Sequence, residues 1–146
     1  MYATQRVLKV QESTANQFEA IQIQSSRNGE TFARQFYSDD LEIYESFFLI
    51  LLNRRHETIG WVKISQGGVA GTVVDPIIIA KYAIDTLSSG VILVHNHPSG
   101  NLQPSDADRS LTRRVKEGLN LFNISVLDHI ILTKDSYYSF ADNGEI

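Results

Sequence analysis

The sequence predicts an α/β (α+β) fold, a mixed sheet between helices, and three observations predict it. Phe47–Leu52 is an unbroken apolar run of strand length, which suits a strand covered on both faces. Val91–Val94 repeats that signature on a shorter scale. Helix openings at Asp75–Pro76 and at Ser105 alternate with these runs, and such alternation places helices against a sheet.

Residues 1–25 carry the weakest signal. Gln, Ser, Thr and Asn are frequent there, with Val7, Leu8, Val10, Ile21 and Ile23 as apolar points. The stretch reads as an arm or edge strand ahead of a domain spanning 26–146. Ser26 is placed as the cap of a first helix with Glu30 in its first turn, Phe32 and Phe36 on one side, and an end near Asp39–Asp40. The strand Phe47–Leu52 turns at Asn53–Glu57 into a hairpin partner over Ile59–Ser65, after which Gly67, Gly68 and Gly71 break the pattern. Asp75 as cap and Pro76 at the first helical position start a second helix that runs to about Leu87. Its Ile77–Ile78–Ile79 run would also suit a strand; the cap and the length decide for a helix. The buried strand Val91–Val94 is followed by a turn-rich loop from Pro98 to Pro104. Ser105 then opens a helix with Leu111, Val115, Leu119 and Phe122 on one face. Ile124–Leu132 is a further strand and Tyr137–Phe140 a last short one.

The chain has 146 residues, which points to one domain and is long enough to bury a core without staples. Cysteine is absent, so disulfides and thiolate zinc sites are excluded and any metal must be held by His, Asp or Glu. A reducing, cytoplasmic setting fits that composition. Met1–Ser13 has no apolar core of a secretory leader, and Phe47–Leu52 is far short of the roughly 20 apolar residues of a membrane span. The net charge of -4 argues against nonspecific nucleic-acid binding, which needs a basic surface, although Arg113, Arg114 and Lys116 form a local basic patch.

The chemistry is concentrated in Val91 to Asp108, which reads VILVHNHPSGNLQPSDAD. His95 and His97 lie where a buried strand ends, and side chains two apart on a strand point the same way. Two imidazoles on one side can take one metal ion. Asp108 falls in the first turn of the next helix, and the loop with Pro98, Gly100 and Pro104 can fold its carboxylate back to the same point. Two His and one carboxylate leave one position open on tetrahedral zinc, as catalytic sites do, and water there is acidified toward a pKa of roughly 7. Each feature alone has a plainer explanation. An H-x-H pair is often hydrogen-bonded surface histidine, and Ser105-x-x-Asp108 is close to a capping box. Their conjunction at the end of a buried strand favours the metal.

The pattern H-x-H-P-x6-S-x2-D, here His95, His97, Pro98, Ser105 and Asp108, resembles the signature of the JAMM (MPN-plus) metalloproteases. HNHPSG at 95–100, PSDAD at 104–108, LTRR at 111–114, LDHII at 127–131, YYSFAD at 137–142 and ISQGGVAGTVVDP at 64–76 resemble its RadC-like branch, so that the similarity covers Glu42 to Asn143. The resemblance implies a JAB/MPN fold, a curved mixed sheet flanked by helices. It implies zinc ligation by His95, His97 and Asp108, and Ser105 as a helper for the oxygen of the tetrahedral intermediate. It further implies a glutamate upstream that takes the proton of the attacking water; Glu45 occupies the matching place, with Glu42 and Glu57 as rivals. Some relatives carry a glutamate where this chain has Val62–Lys63. Asn96 matches the RadC-like branch rather than the Ser or Thr of many deubiquitinating members. Asp128–His129 is read as a satisfied core polar pair in preference to a support for the ligands, and His56 as solvated.

The activity implied is zinc-dependent hydrolysis of peptide or isopeptide bonds in a peptide or protein substrate. The alternative is a non-enzymatic binding module in DNA maintenance, following the branch's association with DNA repair. The helix-hairpin-helix region of longer members has no counterpart in the glycine pattern of residues 1–25. A zinc deaminase is disfavoured because its P-C-x-x-C segment needs cysteine.

Overall fold

The computed structural model of the chain describes residues 18–67 and 72–146. Among them the order is α1 (Ser26–Arg34), a 3-10 turn (Asp39–Glu42), β1 (Ser46–Leu52), β2 (Thr58–Gln66), α2 (Pro76–Asp85), β3 (Gly90–Asn96), α3 (Asp106–Asn120), β4 (Ser125–Leu132) and β5 (Tyr137–Ser139). The strands form one sheet in the order β2-β1-β3-β4-β5. β1 is antiparallel to β2 and β3, β3 is parallel to β4, and β5 is antiparallel to β4. The sheet is therefore mixed, as expected for an α/β fold of the JAB/MPN kind. Helix α3 is the crossover that a parallel β3–β4 pair requires.

Both faces of the sheet are covered, which is why β1 and β3 are apolar throughout. Ile79 and Ala83 of α2 and Val115 and Leu119 of α3 pack on Phe47, Leu49, Leu51, Val91 and Leu93. On the other face Phe32 and Ala33 of α1 pack on Phe48, Ile50, Leu52, Ile92, Val94, Ile130 and Leu132.

Several boundaries differ from the sequence reading. Ser25, not Ser26, caps α1, its side chain accepting the Asn28 N–H. The helix stops at Arg34 rather than near Asp39–Asp40, because the chain turns to lay Phe36 flat on Trp61, with ring centroids 4.3 Å apart. α2 ends at Asp85; Leu87 stands beyond it with φ 52, outside helical space and exposed. Phe122 lies past the end of α3 and is exposed, while Thr112 joins Val115 and Leu119 as the buried side chains of that helix. β3 extends to Asn96, so His95 belongs to the strand itself.

Of the expected arm, Ile23 is buried and Gln22 bridges Glu57, with Ile23 N–H donating to the His56 carbonyl. The rest of that reading, residues 1–17, lies outside the described residues, as do Gly68 and Gly71. No helix among the described residues is long and apolar enough to cross a membrane.

The β3–β4 pairing carries one irregularity. Val91 pairs with Val126, but its neighbour Ile92 pairs with Asp128, so Leu127 is an extra residue in β4. Such a bulge reverses the phase of the side chains beyond it. Val126 faces the α3 side; after the bulge it is His129, not Asp128, that shares this side.

Candidate metal centre

The topology gathers the site at one end of the sheet. Because β1 is antiparallel to β3, the start of β1 lies beside the end of β3, and Phe47 pairs with His95. His95 is 1% exposed, and the Phe47 ring lies nearly parallel to it.

His97 follows the strand. Its Nδ1 is 2.6 Å from the Asn101 carbonyl oxygen. A carbonyl only accepts, so Nδ1 carries a proton and, in the neutral ring, Nε2 presents its lone pair. Gly100, at φ 81, makes the turn that brings Asn101 back onto the ring.

Asp108 is the third residue of α3 and closes a capping box with Ser105. Its Oδ2 accepts from both the N–H and the hydroxyl of Ser105, each at 2.7 Å, while the Ser105 oxygen accepts the Asp108 N–H. Oδ1 is left facing His95, 3.3 Å from its Nε2. His97 Nε2 stands 3.6 Å from Oδ2, and the two Nε2 atoms are 2.9 Å apart. Tetrahedral zinc with bonds of about 2.0–2.1 Å requires ligand atoms roughly 3.3–3.4 Å apart. Each imidazole has a carboxylate oxygen of Asp108 within 3.6 Å and one ligand atom from each residue lies within 4.8 Å of the others, so the residues present can close on the ion by small side-chain adjustments. Among the described residues these three make the only His, Asp or Glu cluster whose ligand atoms could hold a metal.

Burial opposes ionisation of Asp108, but the adjacent His95 and His97 rings and the Ser105 hydroxyl overcome it and hold its carboxyl well below the ordinary carboxylate range. The hydrogen bond to Asp108 raises His97 above the usual imidazole value; burial opposes the rise and the Asn101 carbonyl adds to it. A metal must displace that proton. Zinc affinity is therefore expected to fall as pH drops through the raised pKa, by about tenfold per pH unit below it for one displaced proton. Calorimetric titrations at about pH 8 and about pH 6 check this; equal affinity at both would contradict it.

His129 corrects the sequence reading of Asp128–His129 as a core pair. Neighbouring strand residues face opposite sides, and the bulge makes His129 the one on the α3 side. The Asp128 carboxylate accepts from the Ser139 hydroxyl and the Ala141 N–H on its own side of the sheet. His129, 0% exposed, puts Nε2 at 2.8 Å from His95 Nδ1 and Nδ1 at 2.6 Å from Thr112 Oγ1. Burial first, and then the nearby His95, push its pKa well below the ordinary value, so it is neutral. Thr112, one helical turn after Asp108, is the sequence sign of this contact, since residues four apart share a helix face.

Glu45 immediately precedes β1 and borders a cleft of about 270 Å³ with Asp108, Phe47, Val74, Leu111 and Arg114. Its carbonyl accepts the Gly67 N–H. The segment carrying it is clamped by Asn96, which is wholly buried between the two histidines: Asn96 Oδ1 accepts the Ser46 N–H, and its amide donates to the Leu41 and Tyr44 carbonyls. Asn96→Ala strips all three, and a loss of about 2–4 kcal/mol of stability is expected in denaturant unfolding. Glu42 instead pairs with Lys134 at 3.2 Å. Glu57 lies in the β1–β2 turn, where it accepts from Asn53, at the far end of the sheet.

A profile of the RadC-like JAB domain matches residues 23–145. The chain belongs to the RadC-like JAB domain family. A UPF0758 protein of Flavobacterium johnsoniae is 41% identical to this RadC-like domain over 101 residues, 69% of the chain and 44% of that protein. One from Thiobacillus denitrificans is 44% identical over 103 residues, 70% of the chain and 46% of that protein. The chain spans about half the length of these relatives. A UPF0758 protein of Vibrio cholerae is 38% identical over 135 residues, covering 86% of the chain and 85% of its own length. None of these names states a reaction.

Proposed function

We propose that this chain is a zinc-dependent hydrolase acting on peptide or isopeptide bonds. The observation that carries the reading is the proton inventory of the cluster. His97 has its Nδ1 proton committed to a carbonyl, so once the ring is neutral it is Nε2 whose lone pair faces His95 Nε2 and the Asp108 carboxylate, an arrangement completed by a cation. Two imidazoles and one carboxylate with a fourth position available are the donor set of catalytic zinc.

Zinc bound there supplies Lewis acidity, polarising a carbonyl and acidifying water. Phe47, Val74 and Leu111 give the cleft an apolar floor for a side chain of the substrate, with Arg114 at its edge. Glu45, in the same cleft, takes the proton of the attacking water and returns it to the leaving amine. The Ser105 hydroxyl is engaged with Asp108 Oδ2. The oxyanion contact implied by the resemblance therefore requires that bond to be exchanged when substrate arrives; until then Ser105 holds Asp108 in place. The test is digestion of a peptide library read by mass spectrometry. Cleavage should vanish after chelation and return with zinc; cleavage indifferent to chelator would refute the reading.

The alternative, a binding module in DNA maintenance, draws on the exposed Arg113, Arg114 and Lys116. These do not form one stripe: Arg114 borders the Glu45 cleft, while Arg113 and Lys116 border another with Glu117 and with Arg109, itself paired to Glu145 at 2.8 Å. A gel-shift titration across salt separates the readings, because phosphate binding must weaken steeply as salt rises.

A further inference from the structure

We infer that His129 and Thr112 form a proton-ordering relay that fixes His95 as its Nδ1–H tautomer and so keeps the His95 Nε2 lone pair aimed at the metal. The inference rests on the metal-site reading above, and deepens it by assigning positioning roles to two residues outside the ligand set.

The direction of the relay is set at its far end. The Thr112 hydroxyl lies 2.7 Å from the Asp108 backbone carbonyl. That oxygen can only accept, so the hydroxyl proton points to it. The Thr112 oxygen then has lone pairs for His129 Nδ1, 2.6 Å away, and His129 must be the Nδ1–H donor. His129 Nε2 is left bare, facing His95 Nδ1 at 2.8 Å. A bare nitrogen there accepts, so His95 carries its proton on Nδ1. In the neutral ring its other nitrogen, Nε2, then offers its lone pair on the side of His97 and Asp108.

The two ligands reach the same protonation by different routes. His97 donates directly to the Asn101 carbonyl. Among the described residues no carbonyl serves His95 in that way; the chain of two side chains reaches one for it. The carbonyl it reaches belongs to Asp108, whose carboxylate is the third ligand, so the relay ties β3, β4 and α3 together around the site. Packing reinforces the order: His129 stacks on Phe140 with centroids 4.7 Å apart and planes 16° from parallel. The β4 bulge at Leu127 puts His129 on this face, and bulges that re-aim a side chain beside a site are features a fold retains.

The experiment has two arms on the full chain. Long-range proton–nitrogen correlation spectra of the zinc-loaded protein report the ring tautomers directly. His129 should appear as Nδ1–H, the opposite of the form free imidazole side chains favour in water. The second arm measures zinc affinity by chelator competition. Thr112→Val keeps the volume but removes the acceptor, and should weaken zinc roughly 10- to 100-fold, as loss of a ligand's hydrogen-bonded support does. Thr112→Ser should restore wild-type affinity. An Nε2–H tautomer at His129, or wild-type affinity in Thr112→Val, overturns the relay while leaving the metal site standing. Failure of the wild-type protein to bind zinc overturns both. Should Thr112→Val fail to fold, the tautomer in the wild-type protein decides.

Discussion

Asp108→Asn is expected to abolish stoichiometric zinc binding while leaving the domain folded. The two oxygens of Asp108 have separate tasks. Oδ2 closes the capping box of α3, and Oδ1 faces His95 Nε2 at 3.3 Å. Asparagine can keep its carbonyl in the cap, since the Ser105 N–H and hydroxyl only need an acceptor. Its NH2 group then occupies the ligand position, where it offers protons in place of a lone pair and carries no charge. The loss of zinc affinity should exceed the roughly 10- to 100-fold that removing a hydrogen-bonded support costs. The cost to folding should be only about 1 kcal/mol, the usual worth of a cap and its helix-dipole charge. Zinc content after gel filtration, set beside a thermal unfolding curve, checks both halves. Retention of one zinc per chain would remove Asp108 from the ligand set.

Glu45→Gln is expected to lower the turnover of any cleaved peptide by roughly 10²- to 10⁴-fold, the range for loss of a general base. Zinc content should be unchanged, because Glu45 is outside the ligand cluster. Glutamine keeps the size and the hydrogen-bonding reach of the side chain but cannot carry a proton between water and amine. The rivals supply the controls. Glu42→Gln removes an exposed ion pair with Lys134, and Glu57→Gln alters a turn at the opposite end of the sheet, so neither should change turnover. Equal loss in Glu42→Gln would reassign the base.

The candidate metal cluster is legible in the sequence because its geometry is local. Two histidines two apart on a strand must share a side, and an acid three residues after a capping serine must lie in the first turn of its helix. The paired apolar runs and the Asp75–Pro76 start are legible for the same reason. What escapes a sequence reading depends on tertiary events. The end of α1 is set by Phe36 settling on Trp61, a contact with no local signature. The role of His129 is hidden because period-two counting holds only in a regular strand, and the extra Leu127 is an ordinary apolar residue with no glycine to mark the bulge. Asn96 stands out in the sequence only as a family variant. Its work as a clamp on the Glu45 segment appears once β1 and β3 lie side by side.

The most direct measurement is anomalous scattering at the zinc edge from crystals of protein purified without chelator. A single peak within bonding distance of His95 Nε2, His97 Nε2 and one oxygen of Asp108 is the predicted result. Zinc absent from that position in crystals grown with the ion in excess, with the Asp108 carboxylate wholly engaged in its helix cap, would contradict it.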